Sequence, residues 1–217
     1  MKKLKLRCQP LDDLLTGGFE IKSITEIFGE AGTGKTNICL QAARESALNN
    51  HKTIYIDSEG VSIERLKQIC TKHDFKKLLS NIIFYTPTSL DEQEKIINKI
   101  SNEDEETLII FDTFNMFHRI QFEEDEQYAN RSLNRQVTNL QLAARKNNYY
   151  VIITGQVYTS ENGEIKPFAG RGIEHIVKSI IKLEKIGQGK RQATIIKHRS
   201  IAEGKKTSFS ITGTGLE

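Results

Sequence analysis

Eight residues, Gly29-Glu30-Ala31-Gly32-Thr33-Gly34-Lys35-Thr36, restrict this chain more than any other stretch. They follow an apolar, β-leaning run, Ile24-Thr25-Glu26-Ile27-Phe28, and lead into a helix-compatible segment from Asn37 to Arg44. The pattern is G-x-x-x-x-G-K-[ST] in the context that gives it meaning, between a strand and a helix start. Four constrained positions match by chance in about one chain per hundred of this length, and the flanking elements lower that further. Glycine lets the backbone turn tightly enough for consecutive N–H groups to face one anion, and the helix start adds partial positive charge. Lys35 is then placed for the β- and γ-phosphates, and the Thr36 hydroxyl for Mg²⁺. The residues expected to bind ATP are therefore Gly29, Glu30, Ala31, Gly32, Thr33, Gly34, Lys35, Thr36 and Asn37.

A loop of this kind hangs from an α/β fold with a central, mainly parallel sheet flanked by helices, and the remaining pattern supplies one. Leu11 to Leu15 reads as a short helix ended by Thr16-Gly17-Gly18. Thr53 to Ile56 is a strand ending at Asp57-Ser58-Glu59-Gly60, followed by a helix with Ile63, Leu66, Ile69 and Cys70 at helical spacing. Asn81 to Tyr85 is a third strand. Ser89-Leu90-Asp91-Glu92 is expected to form a reciprocal capping box for a helix burying Leu90, Ile96, Ile97 and Ile100. After a polar loop from Asn102 to Glu106, Leu108-Ile109-Ile110-Phe111-Asp112 is a continuous apolar run suited to a strand covered on both faces. The run Phe122 to Glu126 is expected to open a long helix with Leu133, Val137, Leu140 and Ala144 facing inward. Tyr149 to Thr154 is a further buried strand with Gly155-Gln156 at its carboxyl end. Thr159 to Gly172, rich in Gly, Ser, Asn and Pro, is expected to be a mobile surface loop. Ser179 to Lys185, Gln192 to Lys197 and Thr207 to Thr212 read as strands joined by glycine-bearing turns, an antiparallel, basic extension over 179–217.

The chain's 217 residues suit one domain with a short leading segment, 1–22. No run approaches ~18 apolar residues, so no membrane partner is expected. The basic start, Met1 to Cys8, lacks the apolar core of a signal peptide, and the expected location is cytoplasmic. Cys8, Cys39 and Cys70 are too few and too far apart for a zinc site and are expected to be buried, reduced thiols. Charge is uneven. Residues 178–206 hold nine Lys/Arg and two Glu, a local charge of +7, which leaves 22 basic and 26 acidic residues elsewhere. A basic carboxy-terminal face on a slightly acidic protein points to a polyanion, or in the plainer alternative to a solvated lysine-rich surface.

Phosphoryl transfer needs charge neutralisation, a metal and an oriented nucleophile. The candidates all close strands, where ligands of open α/β sheets collect. Asp112 is placed to hold Mg²⁺ together with Thr36, although a carboxylate there can also cap the next helix. Glu59 can take a proton from water, or serve only the turn at Gly60. Gln156 has no acid–base capacity, but its amide can donate to a phosphate oxygen and so report the nucleotide.

Taken together, Leu11 to Gly18, Ser23 to Gly29, Tyr55 to Gly60 and Val151 to Val157 resemble the RecA/Rad51 recombinase core in order and spacing, over nearly the whole chain. Shortness and ending are most like the archaeal recombinase paralogues. The resemblance implies a RecA-like P-loop NTPase core with Gly29–Thr36 binding ATP, Thr36 and Asp112 managing Mg²⁺, Glu59 as the hydrolytic glutamate and Gln156 as the γ-phosphate sensor. Lys35, Glu59 and Gln156 are thus the expected catalytic residues. Full-length archaeal recombinases carry an amino-terminal DNA-binding domain and a linker motif that joins filament neighbours. Residues 1–22 leave room for neither, so ordinary filaments are not expected, and homo-oligomers stay open. The family's first DNA loop falls near Phe122 to Arg135, where Glu123-Glu124-Asp125-Glu126 would repel phosphates. The second, Val157 to Phe168, looks shortened. DNA is instead expected at Lys190, Arg191, Lys197, His198, Arg199, Lys205 and Lys206. Lys197-His198-Arg199 also resembles the Lys-x-Arg element with which some RecA-like ATPases touch a neighbour's nucleotide. The resulting expectation is a recombination accessory protein with weak ATPase activity whose partners are DNA, the main recombinase and other repair proteins. The alternatives are a KaiC-like signalling ATPase acting on proteins, and a nucleotide-dependent binding module with negligible catalysis.

Overall fold

One edge of a nine-stranded sheet gathers the candidates for chemistry. The computed structural model describes residues 2–100, 103, 106–159, 165–167 and 173–217. Its strands are β1 (Lys3–Leu4), β2 (Phe19–Glu20), β3 (Ser23–Phe28), β4 (Thr53–Asp57), β5 (Ile82–Tyr85), β6 (Leu108–Asp112), β7 (Tyr150–Gly155), β8 (Val157–Thr159), β9 (Ile165–Pro167), β10 (Ser179–Lys185), β11 (Lys190–His198), β12 (Lys206–Thr212) and β13 (Gly215–Leu216). The helices are α1 (Gln9–Leu14), α2 (Lys35–Leu48), α3 (Ile63–Ile69), α4 (Phe75–Leu79), α5 (Leu90–Ile100), α6 (Met116–Glu124) and α7 (Glu126–Asn147).

The sheet order is β13-β12-β11-β10-β3-β7-β6-β4-β5. The six strands from β10 to β5 run parallel, and β11, β12 and β13 continue antiparallel. The expected extension therefore changes character at its first strand. Ser179–Lys185 belongs to the parallel core, paired with β3 on one side and with β11 on the other. Alternation builds the layers, because successive side chains leave a strand on opposite faces. Ile24, Phe28, Ile54, Ile109, Phe111 and Ile153 pack with α5 and α7 on one face. Ile27, Tyr55, Ile110 and Ile152 pack with α1 and α2 on the other. Each such fully buried aliphatic side chain contributes about 1.5–3 kcal/mol.

Other expectations need correction. The long helix does not open at Phe122: α6 runs through Glu124, and Asp125, in extended backbone, starts α7 by accepting from Tyr128 N–H at 2.9 Å. The capping box is not reciprocal. Ser89 Oγ accepts from Glu92 N–H at 3.2 Å, but the Glu92 carboxylate reaches Thr88, taking its N–H and hydroxyl at 2.8 Å each. Ile63 is 43% exposed, unlike Leu66, Ile69 and Cys70. Of the loop expected over 159–172, residues 160–164 and 168–172 lie outside those described, as do 101, 102, 104 and 105 of the polar loop before β6. β8 and β9 pair antiparallel. All three cysteines are buried and free. Among the described residues no helix is long and apolar enough to cross a membrane.

Candidate nucleotide-binding site

The phosphate loop leaves β3 at Phe28 and enters α2 at Lys35. α3, α4 and α7 carry Ser or Asp caps, whereas α2 is preceded by Gly34 with no side-chain cap bond. Its first N–H groups are thus turned toward the loop, with the positive end of the helix behind them. The loop glycines also meet the neighbouring strands. A Cβ on Gly29 would stand 2.4 Å from Leu183 O, one on Gly32 3.0 Å from Lys185 Nζ, and one on Gly34 2.7 Å from Ile211 Cδ1. Gly34 in addition takes φ +102°, a conformation side chains disfavour. Lys35 Nζ donates to the Gly29 and Glu30 carbonyls at 2.7 and 3.1 Å. Burial lowers its pKa, opposed by the charges of Asp112 and Glu59.

Asp112 closes β6 and is buried. Its Oδ2 accepts from Tyr55 OH at 2.8 Å and its Oδ1 from Thr154 Oγ1 at 2.6 Å, so strands on both sides fix the carboxylate. Each oxygen retains further acceptor capacity. The following peptide bond, to Thr113, is cis. Asp57, at the end of β4, takes the N–H groups of Glu59, Gly60 and Val61 and so shapes the turn that presents Glu59. Glu59 Oε1 accepts from Thr113 Oγ1 and from Gln156 Nε2, the latter at 2.6 Å. Gln156 is held on three more sides: its N–H donates to Asn115 Oδ1, its carbonyl accepts from Asn115 Nδ2, and its Oε1 accepts from Arg119 Nη1 at 3.0 Å. Glu59 and Gln156, expected separately from the sequence, therefore touch.

Asn37, expected in the nucleotide set, accepts from Arg65 Nε at 2.7 Å. The same guanidinium donates to the Thr212 and Gly213 carbonyls, tying α3 to α2 and to the β12–β13 turn. A Thr36 hydroxyl with an Asp112 carboxylate is a hard-oxygen pair of the kind that holds Mg²⁺ beside phosphate oxygens and waters. Among the described residues no group of three or more His, Cys, Asp or Glu forms a metal site of its own.

The basic candidates do not form one cluster. β11 runs antiparallel to β10, with Lys185 opposite Arg191 and Ser179 opposite His198. Lys190 and Arg191 thus lie at the edge that bears the phosphate loop, and Lys197 and His198 at the other, about 20–26 Å away along the strand. Lys206 pairs with Thr194 between them. Arg199 forms an ion pair with Glu20 at 2.5 Å, and Lys197 Nζ donates to the Glu174 carbonyl.

Sequence reasoning missed Tyr55, Thr154, Thr113, Arg65 and Arg119. Two of these left a signal: Tyr55 and Thr154 are hydroxyl residues inside mostly apolar strands, and most buried hydroxyls have a partner, although Thr53 Oγ1 in the same strand as Tyr55 has none among the described residues. Arg119 left none, since the residue it meets lies 37 positions away.

Known proteins resemble this chain over nearly its whole length. The Rad51 family model matches residues 2–217. The DNA repair and recombination protein RadB of Methanococcoides burtonii is 42% identical over 221 residues, covering 99% of this chain and 97% of that protein. RadB of Thermoplasma acidophilum is 39% identical, covering 95% and 90%. The crystal structure of the RadB recombinase superposes with TM-score 0.87 at 32% identity over 99% of this chain and 98% of that one.

Proposed function

The chain belongs to the Rad51 family, and from that membership we propose that it acts in DNA repair and homologous recombination as an accessory protein of the RadB kind. In this reading it binds ATP with Mg²⁺, hydrolyses ATP slowly, binds DNA through its basic carboxy-terminal strands and modulates the main recombinase. The observation that carries the reading is an intact set of phosphate loop, Asp112, Glu59 and Gln156 in a chain alike, end to end, to RadB proteins.

When bound, Mg²⁺ supplies neutralisation of phosphate charge. The chain's own residues do the rest. Loop N–H groups and Lys35 bind the phosphates, and Thr36 and Asp112 offer oxygens to the metal. Tyr55 and Thr154 keep the Asp112 carboxylate in one orientation. Glu59, held at Oε1 by Thr113 and Gln156, keeps Oε2 for a proton from water. Gln156 donates an amide proton, so its partner depends on what occupies the site.

Lys190, Arg191, Lys197, His198, Arg199, Lys205 and Lys206 are the proposed DNA-binding residues. Lys197 and Arg199, on the edge opposite their own loop, can meet a nucleotide only on a second copy of the chain. DNA affinity measured against salt tests the reading. Wild-type protein is expected to show a steep linear fall of log K with log salt. Lys197→Ala/Arg199→Ala is expected to show a flatter one, by about one unit of slope for each phosphate that is no longer neutralised. Absence of DNA binding at low salt, with or without ATP, would contradict it.

A further inference from the structure

The strands beyond β10 lie on the phosphate loop itself. Gly29 faces the Leu183 carbonyl, Gly32 faces the Lys185 side chain and Gly34 faces Ile211, each too closely for a side chain to be added without movement. Gly32 matters most here. It takes φ +72°, and Arg191 Nε donates to its carbonyl at 3.1 Å. Nη1 of the same guanidinium donates to the carbonyl of Lys190, the first residue of β11, at 2.9 Å and to the Gly187 carbonyl of the β10–β11 turn at 3.5 Å. The turn is anchored in its own right, because Ile211 N–H donates to Gly189 O at 2.9 Å.

We infer that Arg191 is a positioning residue for the nucleotide: it pins the outer face of the phosphate loop through the Gly32 carbonyl, so that the loop's N–H groups stay turned inward. The physical reason is preorganisation. A loop with glycines at Gly29, Gly32 and Gly34 has more conformations available than other sequences, and an anion that must order it binds less tightly. A charge-assisted hydrogen bond from a guanidinium already fixed by its own turn removes part of that cost beforehand. Arg191 touches neither phosphate nor metal in this role, which is separate from the DNA contact proposed for the basic strands. The inference rests on the reading of Gly29–Thr36 as a nucleotide site.

The test is calorimetric titration of Mg·ADP into the full-length wild type, Arg191→Ala and Arg191→Lys, with melting temperatures taken without nucleotide. Arg191→Ala is expected to raise Kd about tenfold while leaving the nucleotide-free melting temperature unchanged. Arg191→Lys, which keeps a charged donor on a long stem, is expected to recover most of that affinity. Wild-type affinity in Arg191→Ala would overturn the inference, as would a parallel fall in nucleotide-free stability with no rescue by lysine. Failure of the wild type to bind would instead overturn the nucleotide reading, and the inference with it.

Discussion

Glu59 accepts two hydrogen bonds on one oxygen, from residues that follow β6 and β7, and this fixes where its other oxygen can act. Glu59→Gln keeps the size and loses the base. Its ATP turnover is expected to fall on the order of 10²-fold with nucleotide affinity retained, and unchanged turnover would remove the assignment. Asp112 depends on its neighbours in the same way. Thr154→Val keeps the volume of a residue buried in β7 but removes the Oγ1 donor to Asp112; denaturant unfolding is expected to show a destabilisation of about 1–3 kcal/mol. Glu26 offers a pH test. It lies on β3 with Oε1 close to Gly155, burial and then the like charge of Glu174 raising its pKa from 4.5 to about 7. Below pH 4.5 both folded and unfolded chains hold this proton and the native state is at full strength. As pH rises, the unfolded chain ionises first, so stability falls until about pH 7, by on the order of 3 kcal/mol, and then levels. Unfolding of Glu26→Gln is expected to lack that slope, and an identical slope in the variant would contradict the assignment. The residues easiest to read from sequence are those that end strands: Asp112 after an apolar run, Glu59 after Asp57-Ser58, Gln156 after Gly155. What they touch is not readable, because Tyr55 and Thr154 meet Asp112 from 57 and 42 residues away.

At the scale of elements, local chemistry decides most outcomes and tertiary contact the rest. α2 and β6 are legible because a glycine motif and a continuous apolar run each demand one structure. α6 is not, since nothing in Met116–Glu124 separates it from the helix that follows except Asp125. That residue is both end of one helix and cap of the next. Asp125→Ala is expected to cost about 1 kcal/mol and to lower protection of the first turn of α7 in hydrogen exchange; unaltered protection would show that the cap is not what starts the helix. The turns that flank β10 place it with the extension, and its pairing with β3 overrides them. The consequence reaches the site, because a strand beside β3 must pass over Gly29.

For the molecule as a whole, one strand joins the two proposed sites. β11 begins at the phosphate loop and ends on the opposite edge, where Arg199 is paired to Glu20. Any contact between Lys197 or Arg199 and a nucleotide therefore joins two copies. If that contact supports hydrolysis, turnover per chain should rise with protein concentration in the wild type and stay flat in Lys197→Ala/Arg199→Ala; a flat wild-type curve would leave these residues to DNA. Every such outcome presupposes that the loop from Gly29 to Thr36 binds a nucleoside triphosphate. Titration of ATP with magnesium into wild type and Lys35→Ala decides that point. Saturable binding at one site per chain is expected in the wild type, weakened by at least about tenfold in the variant. No saturable binding by the wild type, or equal binding by both, would show that the loop is not a nucleotide site.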